Sequence, residues 1–184
     1  MRILAVPGSL RSGTNAAVLR AAHEQSPEDM ELVDFEGLGD IELLNPELEG
    51  PDFTGPPGVA AFRQAVGAAD GLLLVSPEYG HSVPGVLKNA LDWLVQSGEL
   101  SDTRLALVTA SPTATGGLRA QTALVQTLLA QNAQIVVMQS IPAVKAKLGD
   151  DGDLAHASTR RRVGETLVAL QEAVAEHREW LAKS

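Results

Sequence analysis

GLLLVSPEYGHSVPGVLKNALDW, residues Gly71 to Trp93, joins three local signals in one short span. Gly71–Ser76 is a continuous apolar run, the mark of a strand buried on both faces. Pro77 fixes φ and carries no N–H, so a sheet ladder ends there. Gly80 admits backbone conformations closed to other residues, and Pro84 suits a first helical turn. Beyond them Val83, Val86, Leu87, Ala90, Leu91 and Leu94 recur at helical spacing, an apolar stripe that needs a sheet to cover it. The span predicts a buried strand, a stiff corner and an amphipathic helix.

The same alternation continues on both sides. Arg2–Val6 (RILAV) is another short apolar run, stopped by Pro7-Gly8. Asn15–Glu24 is helical with Thr14 as its expected N-cap, and Met30–Phe35 reads as a second strand. Glu36–Pro57 is rich in Gly and Pro with little periodicity, so a long loop is expected. Val59–Ala68 reads as a helix, Thr103–Ala110 as a fourth strand, Leu118–Gln131 as a helix and Gln134–Gln139 as a fifth strand. A loop then runs from Ser140 to about His156, before a helix carrying Val163, Leu167, Leu170 and Val174. Strands separated by helical connections of this length must be parallel, with right-handed crossovers. The expected fold is α/β: a doubly wound five-stranded parallel sheet in three α/β/α layers. The flavodoxin-like strand order 2-1-3-4-5 is one of its common solutions.

Composition narrows the partners. A chain of 184 residues is by default a single domain. Aromatic residues make up only 3%, so the core must be mostly Ala, Val and Leu. The net charge is −9 and the basic residues are scattered, which disfavours nucleic acid or an anionic membrane as partner. The one basic run, Arg160–Arg162, reads as a solvated helix start with Glu165 as a helical neighbour. There is no cysteine, which excludes disulfides, thiol chemistry and Cys-based metal sites. His23, His81, His156 and His177 show no metal-ligand spacing, so no metal is expected. The N-terminal apolar stretch is too short for a signal peptide, and no run nears the roughly 18–20 residues of a membrane span. A cytoplasmic location is expected.

In open α/β sheets ligands bind beyond the carboxyl ends of the strands, where the strand order reverses. For order 2-1-3-4-5 that point lies between strands one and three, which directs attention to three loops. GSLRSGTN (Gly8–Asn15) offers the hydroxyls of Ser9, Ser12 and Thr14, the guanidinium of Arg11 and the amide of Asn15, then opens a helix. A helix N-terminus with one compensating charge suits a monophosphate, although a capped turn without ligand has the same sequence pattern. Gly8 and Gly13 have the GxxxxG spacing of an NTPase P-loop, but Thr14 stands where its Lys belongs, and no GxGxxG follows strand one. Pro77–Gly80 would present a rigid row of amides beside Tyr79, suited to the edge of a planar heterocycle. An ordinary turn with Glu78 solvated fits equally well. SPTATGG (Ser111–Gly117) is a third corner of small residues.

GSLRSGTN, SPEYGHSVPGVLKNALDWL and ASPTATGGLRAQ resemble, in order and spacing, the NADPH-dependent FMN reductase family. That family includes quinone, azo-dye and chromate reductases of flavodoxin-like fold. IELLNPELEG (Ile41–Gly50) resembles the family's loop after strand two, and the likeness runs to about Met138. It implies FMN as cofactor and NADPH or NADH as co-substrate. Ser9, Arg11, Ser12 or Thr14, and Asn15 would hold the FMN phosphate. Pro77, Glu78, Tyr79 and Gly80 would lie along the isoalloxazine, with the Ser111–Gly117 loop, including Ser111, Gly116 and Gly117, on its other side. Residues 1–184 would then form one flavodoxin-like FMN-binding domain. Hydride would pass from the nicotinamide through flavin N5 to a quinone, azo, metal-oxyanion or free-flavin acceptor. Consistent with cofactor chemistry, no nucleophile or acid–base pair appears, and His81 reads as a surface or nicotinamide-side contact. The family also implies a homodimer or homotetramer with the flavin near the subunit interface, to which Trp93 and its helix contribute. The sequence departs from the family pattern in two places: three residues rather than four separate Arg11 and Asn15, and PEYG replaces PEYN. The alternatives are an electron carrier like flavodoxin and a family member that has lost its flavin and serves as a binding module.

Overall fold

The computed structural model describes residues 1–50 and 54–183. Its parallel strands are β1 (Arg2–Pro7), β2 (Glu31–Asp34), β3 (Gly71–Ser76), β4 (Arg104–Ala110) and β5 (Gln134–Ile141). They lie in the order β2-β1-β3-β4-β5, the flavodoxin-like solution. Helices α1 (Thr14–Glu24), α2 (Pro57–Gly67), α3 (Gly85–Ser97), α4 (Leu118–Leu129) and α5 (Ala157–Leu181) cover the two faces.

The period of two along each strand decides which residue meets which layer. Ile3, Ala5, Leu73, Val75, Ala106 and Val108 point to one side, where they pack with residues of α1 and α5. Leu4, Val6, Leu72, Leu74, Leu105 and Leu107 point to the other, against α2, α3 and α4. Leu4 pairs with Leu72 and Leu72 with Leu105, so the second set forms a leucine row across three strands. Continuous apolar runs, rather than alternating ones, are what burial on both faces demands.

Several boundaries differ from the sequence reading. Gly13, not Thr14, is the N-cap of α1. Pro84 is the N-cap of α3 rather than a residue of its first turn. The loop expected over Glu36–Pro57 contains two 3₁₀ turns, Gly37–Asp40 and Pro46–Leu48, and its residues 51–53 lie outside the described residues. Strand β5 continues to Ile141 and α5 begins at Ala157. The basic run does start that helix: Arg161 pairs with Glu165 at 3.4 Å and Arg160 reaches Glu24 at 2.8 Å.

Trp93 does not lie on a surface available to another subunit, contrary to expectation. It is 1% exposed, and its indole N–H donates to the Glu42 carbonyl at 2.7 Å. Asn89 donates to the same carbonyl at 3.0 Å and accepts from the Leu44 amide at 2.8 Å. The loop after β2 is thus strapped across the back of α3, which buries a face that helical periodicity alone would leave open. Among the described residues no helix is long and apolar enough to cross a membrane, and no group of three His, Cys, Asp or Glu could hold a metal.

Candidate functional site

The site begins where β1 and β3 part. The Gly8 amide donates to the Val75 carbonyl at 2.7 Å, so the loop leaves β1 pressed onto β3. A Cβ at Gly8 would lie 2.7 Å from the Ser76 Cα and 2.8 Å from its Oγ, closer than van der Waals contact permits. Only glycine fits this crossing. From there the chain swings out through Ser9–Gly13 and enters α1, whose N-terminus has no side-chain cap. Its first-turn amides are therefore free to meet an anion. Asn15 is buried beside them, and its Oδ1 has no hydrogen-bond partner. A buried acceptor without a donor is costly, which favours a ligand that supplies one.

The second loop is a tight turn rather than an open row of amides. Tyr79 and Ser82 exchange two backbone hydrogen bonds, at 3.1 and 2.9 Å, around Gly80 and His81. Both central residues have positive φ, 54° and 62°, the signature of a type I′ turn. That turn accepts Gly or Asn at its first central position, so PEYG keeps the backbone that PEYN would give. A Cβ at Gly80 meets nothing within 4 Å. Gly80→Asn is therefore expected to change stability by less than about 1 kcal/mol, whereas Gly80→Val should cost about 1–3 kcal/mol through backbone strain alone. Thermal denaturation of the two variants checks this, and equal losses would remove the turn as the explanation.

The third loop folds on its own hydroxyls. Ser111 Oγ accepts from the Thr113 amide at 3.2 Å and lies 3.0 Å from Thr113 Oγ1. Thr109 Oγ1 donates to the Gly116 carbonyl at 3.0 Å.

These loops enclose one cavity of about 830 Å³. Ser9, Arg11, Ser12, Thr14, Asn15, Pro77, Glu78, Tyr79 and Ser111 all line it. Gly80, Gly116 and Gly117 do not. Gly80 sits out on the turn, while the other two pack inward, against Pro142 and Thr109, and let the corner close over the sheet. Glu78 is not solvated: its side chain is 4% exposed and turned toward α4.

One wall was missed by the sequence reading. The segment after β5 contributes Lys145, Leu148, Gly149 and Gly152, and α1 contributes Arg20. Helices α1 and α5 share a face of the sheet, so the chain entering α5 passes over the start of α1. Arg20 is neutralised there by Asp153 at 2.5 Å and donates to the Gly152 carbonyl at 3.3 Å. Arg11 and Lys145 are exposed at the cavity with no ion-pair partner among the described residues. In a chain of net charge −9, two unmatched cations beside an uncapped helix N-terminus make a local anion site. The only sequence signal for this wall was KAKLGDDGD, a basic-then-acidic run at another carboxyl-edge loop.

The profile of the NADPH-dependent FMN reductase family matches residues 1–147. A probable NADPH:quinone oxidoreductase of Oryza sativa is 33% identical over 179 residues, covering 93% of this chain and 87% of its own. An NAD(P)H-dependent FMN reductase of Pseudomonas aeruginosa is 42% identical over 134 residues, 70% of each chain. Among solved structures, a flavoenzyme NAD(P)H:(acceptor) oxidoreductase of Paracoccus denitrificans superposes with a TM-score of 0.79 at 23% identity, covering 96% of this chain and 98% of its own.

Proposed function

The chain belongs to the NADPH-dependent FMN reductase family, and from that premise we propose that its cavity seats FMN and delivers reducing equivalents from NADPH or NADH to a small quinone-type acceptor. The observation that carries this reading is the pairing of an uncapped helix N-terminus with the Pro77–Tyr79 corner in one cavity of about 830 Å³.

FMN combines a phosphate dianion, a hydroxylated chain and a flat ring, and the residues present fit each part. The first-turn amides of α1, the hydroxyls of Ser9, Ser12 and Thr14, and the two unmatched cations would hold the phosphate. Asn15 Oδ1 would accept from a ribityl hydroxyl and so lose its unsatisfied state. The Pro77–Tyr79 corner and Ser111 would flank the ring. Bound there, the flavin supplies the hydride-accepting centre between nicotinamide and acceptor. The protein's part is to fix the ring by the Pro77–Tyr79 corner, which the type I′ turn closes, and to balance the phosphate charge. Azo compounds, metal oxyanions and free flavin remain within the proposed acceptor range, because a wall made mainly of backbone and small side chains selects weakly by shape. A cytoplasmic homodimer or homotetramer is part of the proposal, without a role for Trp93.

Flavin titration followed by anaerobic addition of NADPH or NADH with a quinone tests the reading. FMN should bind and the nicotinamide should be consumed. Flavin binding without nicotinamide oxidation would favour an electron carrier, and no flavin binding would favour the binding-module alternative. Arg11→Ala and Lys145→Ala are each expected to weaken FMN about tenfold, allowing for solvent screening, while leaving riboflavin affinity unchanged. Equal loss for both ligands would show that these cations do not face the phosphate.

A further inference from the structure

Two helices, α1 and α4, follow loops that border the cavity, and the chain treats their N-termini oppositely. At α1 no side chain caps the first turn. At α4 every first-turn amide has an acceptor. The Leu118 amide donates to the Thr115 carbonyl at 3.2 Å. The Arg119 and Ala120 amides both donate to Glu78 Oε2, at 3.0 and 3.4 Å. The Arg119 guanidinium adds a third contact at 3.5 Å, to Oε1.

The helix cannot supply this cap itself. Its N-cap is Gly117, which has no side chain to offer, and its first turn holds no acidic residue. The acceptor comes instead from Glu78, 41 residues earlier, in the loop that follows β3. A carboxylate placed on free amides at the positive end of a helix is favoured both by hydrogen bonding and by the dipole. Glu78 lines the cavity, and the same contact pairs its charge with the α4 amides rather than leaving it unmatched where an anion is to bind.

We propose that Glu78 is a positioning residue: it clamps the Pro77–Ser82 corner to the N-terminus of α4 and so fixes the two walls between which the flavin ring lies. The clamp joins two loops from different strands, neither of which is held to the other by sheet pairing beyond the ends of β3 and β4. It also occupies the α4 amides, whereas the N-terminus of α1, whose first residues line the cavity, stays uncapped. This rests on the flavin reading above for what lies between the walls, but the clamp itself belongs to the protein without ligand.

Two measurements separate the possibilities. Amide hydrogen exchange in the flavin-free protein reads the clamp directly, and titration with FMN and with riboflavin reads its consequence. In Glu78→Ala the Arg119 and Ala120 amides should exchange about tenfold faster, the usual scale for loss of a helix cap. FMN and riboflavin should both weaken, by the same factor of about ten, because the ring and not the phosphate loses its seat. Glu78→Gln keeps one oxygen acceptor and should recover most of both effects, whereas Glu78→Asp is a methylene too short and should behave like alanine. Unchanged exchange at Arg119 and Ala120 would overturn the clamp. Faster exchange with wild-type flavin affinity would leave a cap that positions nothing, and would overturn the proposal as well. A wild-type protein that binds no flavin would sink the flavin reading and the positioning role together. If the alanine variant does not fold, the comparison of Glu78→Asp with wild type by the same two readouts decides the matter.

Discussion

Gly8→Ala should weaken FMN binding about a hundredfold and lower stability by about 1–3 kcal/mol. The added methyl would stand 2.7 Å from a backbone atom of Ser76, so no rotamer change relieves it. The strands could part only by breaking the 2.7 Å bond from the Gly8 amide to the Val75 carbonyl, which closes the β1–β3 ladder at the cavity. Moving Gly8 displaces the Ser9–Asn15 loop, and moving Ser76 displaces the Pro77–Tyr79 corner. One substitution therefore shifts the phosphate end and the ring end of the cavity together, although its methyl points into neither. Riboflavin should weaken as well, which distinguishes this variant from those at Arg11 and Lys145. Wild-type FMN affinity in a folded Gly8→Ala protein would show that the two strands can spread freely, and the account of this corner would be wrong.

What the sequence made legible follows from how local each cause is. The strands could be read because burial on both faces forces continuous apolar runs, and Leu72–Val75 can be little else. The places where the first and second loops break the regular elements could be read because Gly, Pro and hydroxyl residues act over three or four positions, but the second closes as a tight turn and not as the expected row of amides. Glu78 could not, since its partners stand 41 residues away and a solvated glutamate has the same sequence. Trp93 failed for a related reason. It sits at the edge of the apolar stripe of α3, inside the core, and its indole N–H finds an acceptor through the tertiary path of the loop carrying Glu42. The cap of α1 was misassigned because hydroxyl preference points to Thr14, whereas the extended Gly13 makes the entry and leaves the amides uncapped. The cavity wall after β5 escaped because its position depends on α5 returning beside α1, which no local pattern encodes.

Arg63→Ala should be the most destabilising substitution away from the cavity, by about 3–5 kcal/mol, with a fall in Tm of about 10 °C. Arg63 lies on α2 and is 6% exposed. It pairs with Glu49, whose side chain is equally buried, and donates to the Trp93 carbonyl on α3. Its Nε is 3.8 Å from Glu99 Oε1, and its guanidinium sits 5.8 Å from the centre of the Trp93 ring. One planar cation thus ties α2 to α3 and to the loop strapped behind it. Removing it strands the Glu49 carboxylate away from water, which costs far more than the pair contributes while intact. The double variant Arg63→Met, Glu49→Gln should recover at least half of the lost stability, because it removes the stranded charge as well as its partner. No member of this network lines the cavity, so folded Arg63→Ala protein should keep FMN affinity within about twofold of wild type. Stability lost with affinity retained would place the latch in the scaffold, and affinity lost in proportion would place it in the site. A Tm within about 2 °C of wild type would mean that Glu49 finds water without Arg63, and the buried latch would have to be abandoned.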